Sequence, residues 1–410
     1  MAFRTRNPRP RAAEAGFTLI EAVVALAVMT TVLIGVLSLL QFNSRVAKAQ
    51  VNVAEMQQSL RVAQGEIVKQ VRMAGRGGLP AYRPAAAGVN PGDPQYAGLL
   101  LPQGAAISVA NEVAAGTKIG GADQALVLAG TDVLTLRGVF STTFYQVGLS
   151  DGVVPGTGTG TIVVRARTST DVPQDLEALR QAIQSGRPEA LLLVGRLSDS
   201  VQAVVQLTGG QQVTIEGVPA VQLSFATTED YSKLSPKGTY PSDLTGVSAV
   251  GILEEYRYYI REPAGGPPRL SRARLYPGTE TAHGDSTNLH VDIADNVLDL
   301  QIALGIDRNA TERIEDTQNA GDDWLLNADG DSPIANTADW NDPARPLYYV
   351  RISTLARTDR LDPEYVAPPI QAIEDHVYDE PAQPADEASI LERRYRRRLL
   401  QTVVDLRNLS

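Results

Sequence analysis

The sequence contains no cysteine, so a disulfide, a thiolate metal site and a cysteine nucleophile are all excluded. Absence of cysteine does not by itself argue against export. Only three histidines occur among 410 residues, His283, His290 and His376, too few and too scattered for a multi-histidine metal centre. No nucleophile elbow, Walker loop, H-E-x-x-H or paired-glycine dinucleotide motif is present, and an enzyme is not expected. The 35 glycines and 25 prolines follow no G-X-Y period, which excludes collagen and points to many turns and much β structure. There is no internal repeat, and after residue 40 no second long apolar run. A hydrophobic content of 43% excludes a wholly disordered chain. The length allows two or three domains at roughly 100–200 residues each.

Charge is unevenly placed. Arg4, Arg6, Arg9 and Arg11 against Glu14 give residues 1–16 a charge of +3, and the rest of the chain carries −13 of the total −10. A basic leader before an apolar run keeps an N-terminus cytoplasmic. Ala22 to Leu40 is 19 residues without a charge, about 28 Å as a helix and close to the hydrocarbon thickness of about 30 Å. It reads as one membrane span with the remainder of the chain outside. A cleaved secretory signal would be shorter and end in a small-residue site. Here the small residue, Gly16, precedes the run, and Glu21 stands at its edge. A carboxylate in hydrocarbon costs on the order of 2.5–3.5 kcal/mol, so a partner is expected. Cleavage after Gly16 would supply one, the new amine of Phe17, one helical turn away.

The run Gly16-Phe17-Thr18-Leu19-Ile20-Glu21 resembles the class III signal of type IV pilins and type II secretion pseudopilins. The resemblance implies that prepilin peptidase cuts after Gly16, that Phe17 becomes the N-methylated first residue, and that Glu21 neutralises the terminal amine of a neighbouring subunit during assembly.

Beyond the span the pattern turns amphipathic. Val46, Ala49, Val53, Met56, Leu60, Ala63, Ile67 and Ala74 follow i+3/i+4 spacing, with Val71 on the same face. No proline interrupts Phe17–Ala74, and Gly75, Gly77, Gly78 and Pro80 end the helix. Such a helix of 58 residues is about 87 Å long. Its lower stripe needs one covering surface, more simply a sheet of the same chain than a coiled-coil partner. Residues 80–124 read as a loop-rich insertion. Strands are expected at Ala125–Leu128, Val133–Leu136, Thr161–Arg167, Leu191–Leu197, Val201–Leu207, Gln212–Ile215 and Val221–Ala226, with one helix at Pro173–Ser185. A second group covers Gly251–Ile260, Arg269–Tyr276, Asn288–Ile306, Leu347–Arg357 and Arg397–Leu406. The expected fold is α+β: a long N-terminal α-helix, membrane-spanning in its first half, packed on an antiparallel β-sheet head. The domains are a leader (1–16), the helix (17–79, span about 22–40), the insertion (80–124) and an extracytoplasmic β-rich head (125–410).

Several later segments narrow the resemblance. Gly130-Thr131-Asp132-Val133-Leu134-Thr135-Leu136, Asp295-Asn296-Val297-Leu298-Asp299-Leu300-Gln301, Val350-Arg351-Ile352-Ser353 and the ending Val403-Val404-Asp405-Leu406-Arg407-Asn408 are similar to PilW-type minor pilins. That family implies a non-catalytic subunit that primes type IV pilus assembly and sits at the tip. Its partners would be the major pilin, sister minor pilins, prepilin peptidase and the inner-membrane assembly platform, and its setting the cytoplasmic membrane, head outside, until incorporation into a pilus used in twitching motility. The alternatives are a J-type minor pseudopilin of type II secretion and a pilus-tip adhesin. Family arguments say little about 80–124 or 308–346.

No cofactor is expected. Asn327, Asp329 and Asp331 place three oxygen side chains at alternate positions, as at the start of an EF-hand loop. However, the glycine is not at the sixth position and Ala338 stands where the twelfth-position glutamate belongs. A solvated acidic loop is favoured over calcium binding. Arg393, Arg394, Arg396, Arg397 and Arg398 form a basic cluster, but the acidic chain and the apolar strand that follows favour pairing with Glu387, Glu392 or a partner subunit over nucleic acid.

Overall fold

The computed structural model describes residues 18–77, 79, 106–120, 126–141, 144–147, 154–155, 159–165, 174–195, 202–215, 217–226, 247–263, 265–283, 290–307, 311, 313–315, 323–327 and 347–406. The leader, Phe17 and most of 80–124 lie outside them. The chain divides into two compact units, Met1–Ala54 and Glu55–Ser410.

A single helix, α1, covers Leu19–Met73. Within the first unit its Leu, Val, Ile and Met side chains from Leu19 to Leu40 are exposed on every side. A helix apolar all round requires surroundings other than water, and this one is long and apolar enough to cross a membrane. Within the second unit the apolar surface narrows to a stripe. Met56, Leu60, Ala63, Ile67 and Val71 are buried at the expected spacing. Gln64 and Gln70 are buried in the same stripe, which hydrophobic periodicity does not anticipate. Gly75, at φ 71°, takes the left-handed conformation that closes a helix, and its N–H donates to the Arg137 carbonyl at 3.0 Å.

The head consists of several antiparallel sheets rather than one. Five strands align as β1 (Ile107–Ala110), β2 (Val133–Gly138), β10 (Glu254–Arg261), β11 (Arg269–Leu275) and β12 (His290–Asp295). Four more align as β14 (Trp324–Leu325), β13 (Val297–Ile306), β15 (Leu347–Arg357) and β18 (Arg397–Asp405). The helix stripe shares one core with both: Ala63, Ile67 and Val71 with Leu134 and Tyr258 of the first sheet and Ile302, Ile352 and Val404 of the second. Gln64 explains its own burial there. Its Nε2 donates to the carbonyls of Ile352 (3.2 Å) and Leu400 (2.6 Å), and its Oε1 accepts from Thr402 Oγ1 (2.6 Å). A buried amide satisfied on both ends fixes the helix in one register on the sheet.

Between β2 and β10 the chain builds a lobe with a core of its own. Its seven strands run in the order β3 (Tyr145–Gln146), β9 (Val247–Ile252), β6 (Ala190–Gly195), β7 (Gln202–Ile215), β8 (Val218–Ala226), β5 (Thr159–Arg165), β4 (Val154–Pro155). Helix α2 (Gln174–Gln184) adds Leu176, Leu179 and Ile183 to that core beside Leu207, Leu223 and Phe225. The lobe departs after Gly138 and returns at Glu254, and these two are paired neighbours in the first sheet.

Several boundaries differ from the sequence expectation, each for a local reason. The run 251–260 is two strands, because Leu253 is the step between the lobe sheet and the head sheet. Likewise 288–306 divides at Asn296, whose φ of 58° turns the corner from β12 into β13; Asn tolerates this conformation better than most residues. Val201–Leu207 and Gln212–Ile215 join into one strand, β7, through Gly209-Gly210. A Cβ on Gly210 would stand 3.1 Å from Arg180 Cγ of α2, so that glycine marks a close helix crossing rather than a turn. Of the expected strand Ala125–Leu128, Ala125 lies outside the described residues, and Leu126 and Val127 make isolated bridges. The stretch read as a loop-rich insertion contains β1, an alternating Ile-Ser-Val-Ala run that pairs with β2. Within 308–346, β14 pairs with β13.

Candidate assembly site

Gly16 and Phe17 lie outside the described residues; Glu21 is within them. Thr18 and Glu21 form a reciprocal cap at the start of α1. The Thr18 backbone N–H and hydroxyl donate to Glu21 Oε2 at 3.1 and 2.9 Å, and the Glu21 N–H donates to Thr18 Oγ1 at 3.3 Å. This is the capping box, with threonine before the first turn and glutamate three residues on. Its spacing, Thr-x-x-Glu, is readable in the sequence, although the signal reading assigns Glu21 another role. The carboxylate therefore has neutral partners within its own chain and stays exposed, one turn ahead of the apolar span.

The remaining charged candidates are absorbed into the fold. Glu254 and Glu255, adjacent on β10, serve separate networks. Glu254 accepts from the Phe140 and Ser141 N–H groups (2.9 and 2.7 Å) and pairs with Arg274 (2.9 Å). Glu255 pairs with Arg137 (2.8 Å) and Arg257 (2.9 Å). Burial disfavours its charge, but the two guanidiniums outweigh that and hold its carboxyl below the usual range. Tyr256 and Tyr258 pack in the main core.

The arginine cluster is mostly a set of fasteners for the strap between β15 and β18. Arg393 is buried and donates to the Ala367, Pro381 and Ala382 carbonyls. Arg396 pairs with Asp362 (2.8 Å) and Arg397 with Glu380 (2.5 Å). The expected partners are thereby corrected: Glu392 pairs instead with Arg357 (2.6 Å). Of the three calcium candidates, Asn327 is buried next to β14, while Asp329 and Asp331 lie outside the described residues. Among the described residues no group of three acids or histidines is placed to hold a metal ion. The histidines stand apart, His283 at Glu189 (3.1 Å), His290 at Tyr259 and His376 at Glu112 (3.2 Å).

Sequence reasoning missed one cluster. The strap's small hairpin, β16 (Ala372–Ile373) and β17 (His376–Val377), brings Asp375 beside the buried Asp132 and Asp299. Asp132 accepts from the N–H groups of Glu112 (2.9 Å) and Ile302 (2.7 Å), tying the β1–β2 connection to β13. Asp299 accepts from Tyr378 Oη (2.6 Å) and Gln301 Nε2 (2.9 Å). Asn111 donates to Asp375 (2.8 Å). Burial raises the pKa of all three acids despite these hydrogen bonds, Asp132 well above the ordinary range. The signal lay in Gly130-Thr131-Asp132 and Asp299, whose role is to join sheets.

The sign of the linkage follows. Acids with raised native pKa stabilise the fold while protonated, and that contribution falls as pH rises from the ordinary carboxylate range through their raised values. Glu255 acts in the opposite direction, its contribution disappearing as pH drops through its lowered value. Thermal melts of the detergent-solubilised chain should therefore peak at mildly acidic pH. Asp299→Asn should flatten the decline on the alkaline side; an unchanged slope would remove Asp299 from the cause.

Residues 11–37 match the prokaryotic N-terminal methylation motif, and residues 257–408 match the family described as type IV pilus-assembly protein W. The matched C-terminal region begins on β10, just after the lobe returns to the head sheet. No curated protein is similar enough to match. Among solved structures, a type IV-like pilin, TTHA1219 from Thermus thermophilus, aligns over 60% of this chain and 100% of its own, at 13% identity and a TM-score of 0.19, too low to carry an argument. The α+β fold rests instead on the helix and sheets themselves. Pilus-assembly families are generally structural rather than catalytic. A methylation motif opening a membrane-length helix and a pilus-assembly W region closing the head together support a PilW-type, prepilin-like minor pilin.

Proposed function

We propose that this protein is a priming or tip subunit of a type IV pilus, matured by prepilin peptidase between Gly16 and Phe17. The observation that carries the reading is the position of Glu21, an exposed carboxylate at the head of a helix whose next 19 residues are uncharged. The basic leader orients insertion with the N-terminus in the cytoplasm and the head outside the inner membrane. The subunit then waits as a single-pass protein. Moving Ala22–Leu40 from lipid into a bundle of pilin helices costs little, because acyl chains and neighbouring helices are similarly apolar. What selects the axial position is charge, Glu21 of one subunit against the Phe17 amine of the next. Major pilin, sister minor pilins, peptidase and the membrane assembly platform are the partners this requires. The J-type pseudopilin has the same signal, but the match at 257–408 is to a pilus-assembly family, which favours the pilus.

Mass spectrometry of the protein from peptidase-positive cells should find Phe17 as the N-terminus, carrying one methyl group. An intact Met1 terminus in those cells would refute processing, and an unmodified Phe17 would refute methylation alone.

A further inference from the structure

Among the described residues, β18 leaves one margin of its sheet open. It is the outermost strand of its sheet and pairs with β15 through nine positions without a register shift. The Leu406 N–H donates to the Tyr348 carbonyl (3.0 Å), and the Arg396 carbonyl accepts from the Thr358 N–H (2.9 Å). These bonds set the phase, so Leu400, Thr402 and Val404 turn their backbone groups toward β15. By the alternation of an antiparallel ladder, Leu399, Gln401 and Val403 turn theirs outward, and among the described residues no strand meets them. Such margins are ordinarily blunted by proline, a bulge or inward-pointing charge. β18 has no proline or bulge, and its charges stand only at its ends, Arg397 and Arg398 at one and Asp405 at the other.

Apolar surface accompanies the open backbone. Leu399 and Val403 are 45% and 49% exposed. Leu399 also walls a groove of about 330 Å³ with Leu355, Pro368, Ile370 and Ile373. Among the arginines beside the strand, Arg393, Arg396 and Arg397 are engaged by the strap, whereas the guanidiniums of Arg394 and Arg398 have no partner among the described residues. A second copy of the chain would bring them one carboxylate, Asp405, which is already engaged within its own chain. Charge complementarity therefore favours a different, more acidic segment.

We propose that β18 accepts, as an added strand, an extended segment of a neighbouring pilus subunit that is apolar at alternate positions and acidic where it passes Arg394 and Arg398. Main-chain hydrogen bonds to Leu399, Gln401 and Val403 hold the segment, and the groove and the two arginines select it, as in other strand-addition complexes. The inference rests on the pilus reading above, and the test separates the two. A photoreactive phenylalanine analogue is placed at Val403 of the full-length protein in pilus-forming cells, and in a second strain at Phe42 of the exposed apolar helix. Adducts at Phe42 with pilus subunits report the pilus reading alone. At Val403 the expected adduct maps by mass spectrometry to an acidic, alternately apolar segment of another pilus subunit. Combining the probe with Arg394→Glu and Arg398→Glu should reduce that adduct at least about tenfold, while Arg394→Lys with Arg398→Lys retains it. Phe42 adducts without a Val403 adduct, a Val403 adduct with a second copy of this chain, or one undiminished by charge reversal would each overturn the added strand and leave the pilus reading standing. If neither position yields a subunit adduct, both fall.

Discussion

Glu21→Ala should leave membrane insertion unchanged or slightly improved, yet reduce pilus number about tenfold or more. Insertion is spared because the substitution removes a group that is costly near hydrocarbon, about 2.5–3.5 kcal/mol at the centre of a span and less at its edge. On the proposed pairing, assembly suffers because the charge-assisted bond to a neighbour's amine is lost, worth about 1.5–3 kcal/mol, against about 1.4 kcal/mol for a tenfold change in an equilibrium. Glu21 also caps its own helix with Thr18, so the effect needs a control. Thr18→Ala removes the cap partner while keeping the charge, at a cost of about 1 kcal/mol of local helix stability, and α1 runs on for 55 residues. It should therefore retain most pili. Immunoblotting of sheared pili and of washed membranes reads both quantities. Equal losses from the two variants would assign Glu21 to capping and remove the charge pairing between subunits.

The second large effect belongs to Glu374 in the turn of the strap hairpin. Its Oε2 accepts from Arg351 Nη2 and Nε at 2.7 and 3.1 Å, and its Oε1 from Ser353 Oγ (2.6 Å) and Gln401 Nε2 (2.7 Å). The site is almost entirely shielded from water, and the Arg351 guanidinium also lies 4.2 Å over the Trp324 ring. Replacing one member of a buried ion pair leaves the other charged group without its counterion, and typical losses are about 3–5 kcal/mol. Glu374→Ala should lower the stability of the head by that order, measured by urea unfolding of the detergent-solubilised chain, and open the 358–396 strap to proteolysis. Adding Arg351→Met should restore much of the loss, because the pair then disappears as a unit. A loss below about 1 kcal/mol, the range of exposed pairs, would mean that water enters the site.

Local pattern carried the helical part of this fold and carried the sheets less well. From Met56 to Val71 the helix stripe could be read because burial repeats every three or four residues on one element. Gln64 was illegible, since its reason for burial lies on β15 and β18, more than 280 positions away. The strand runs were found, but their division at Leu253 and Asn296 was not. Leu253 continues an apolar run and Asp295-Asn296 interrupts a strand pattern by only two polar residues, so only the arrangement of sheets makes these steps corners. The methylation motif matched over 11–37 is legible because its residues are contiguous in the chain. The three acids joined by the strap hairpin come from segments brought together only by folding, so no spacing rule reveals them. Similarly, the arginine run read as pairing with nearby glutamates, because charge in sequence does not reveal that carbonyls of a strap will surround Arg393.

The paired positions Gly138 and Glu254 act as a socket. Because the excursion starts and finishes at facing rungs of one ladder, its size can vary without disturbing the pairing of the strands on either side. Growth, loss or exchange of that appendage leaves the hydrogen-bond register between β2 and β10 intact, so the outer elaboration and the sheet that carries it can change independently.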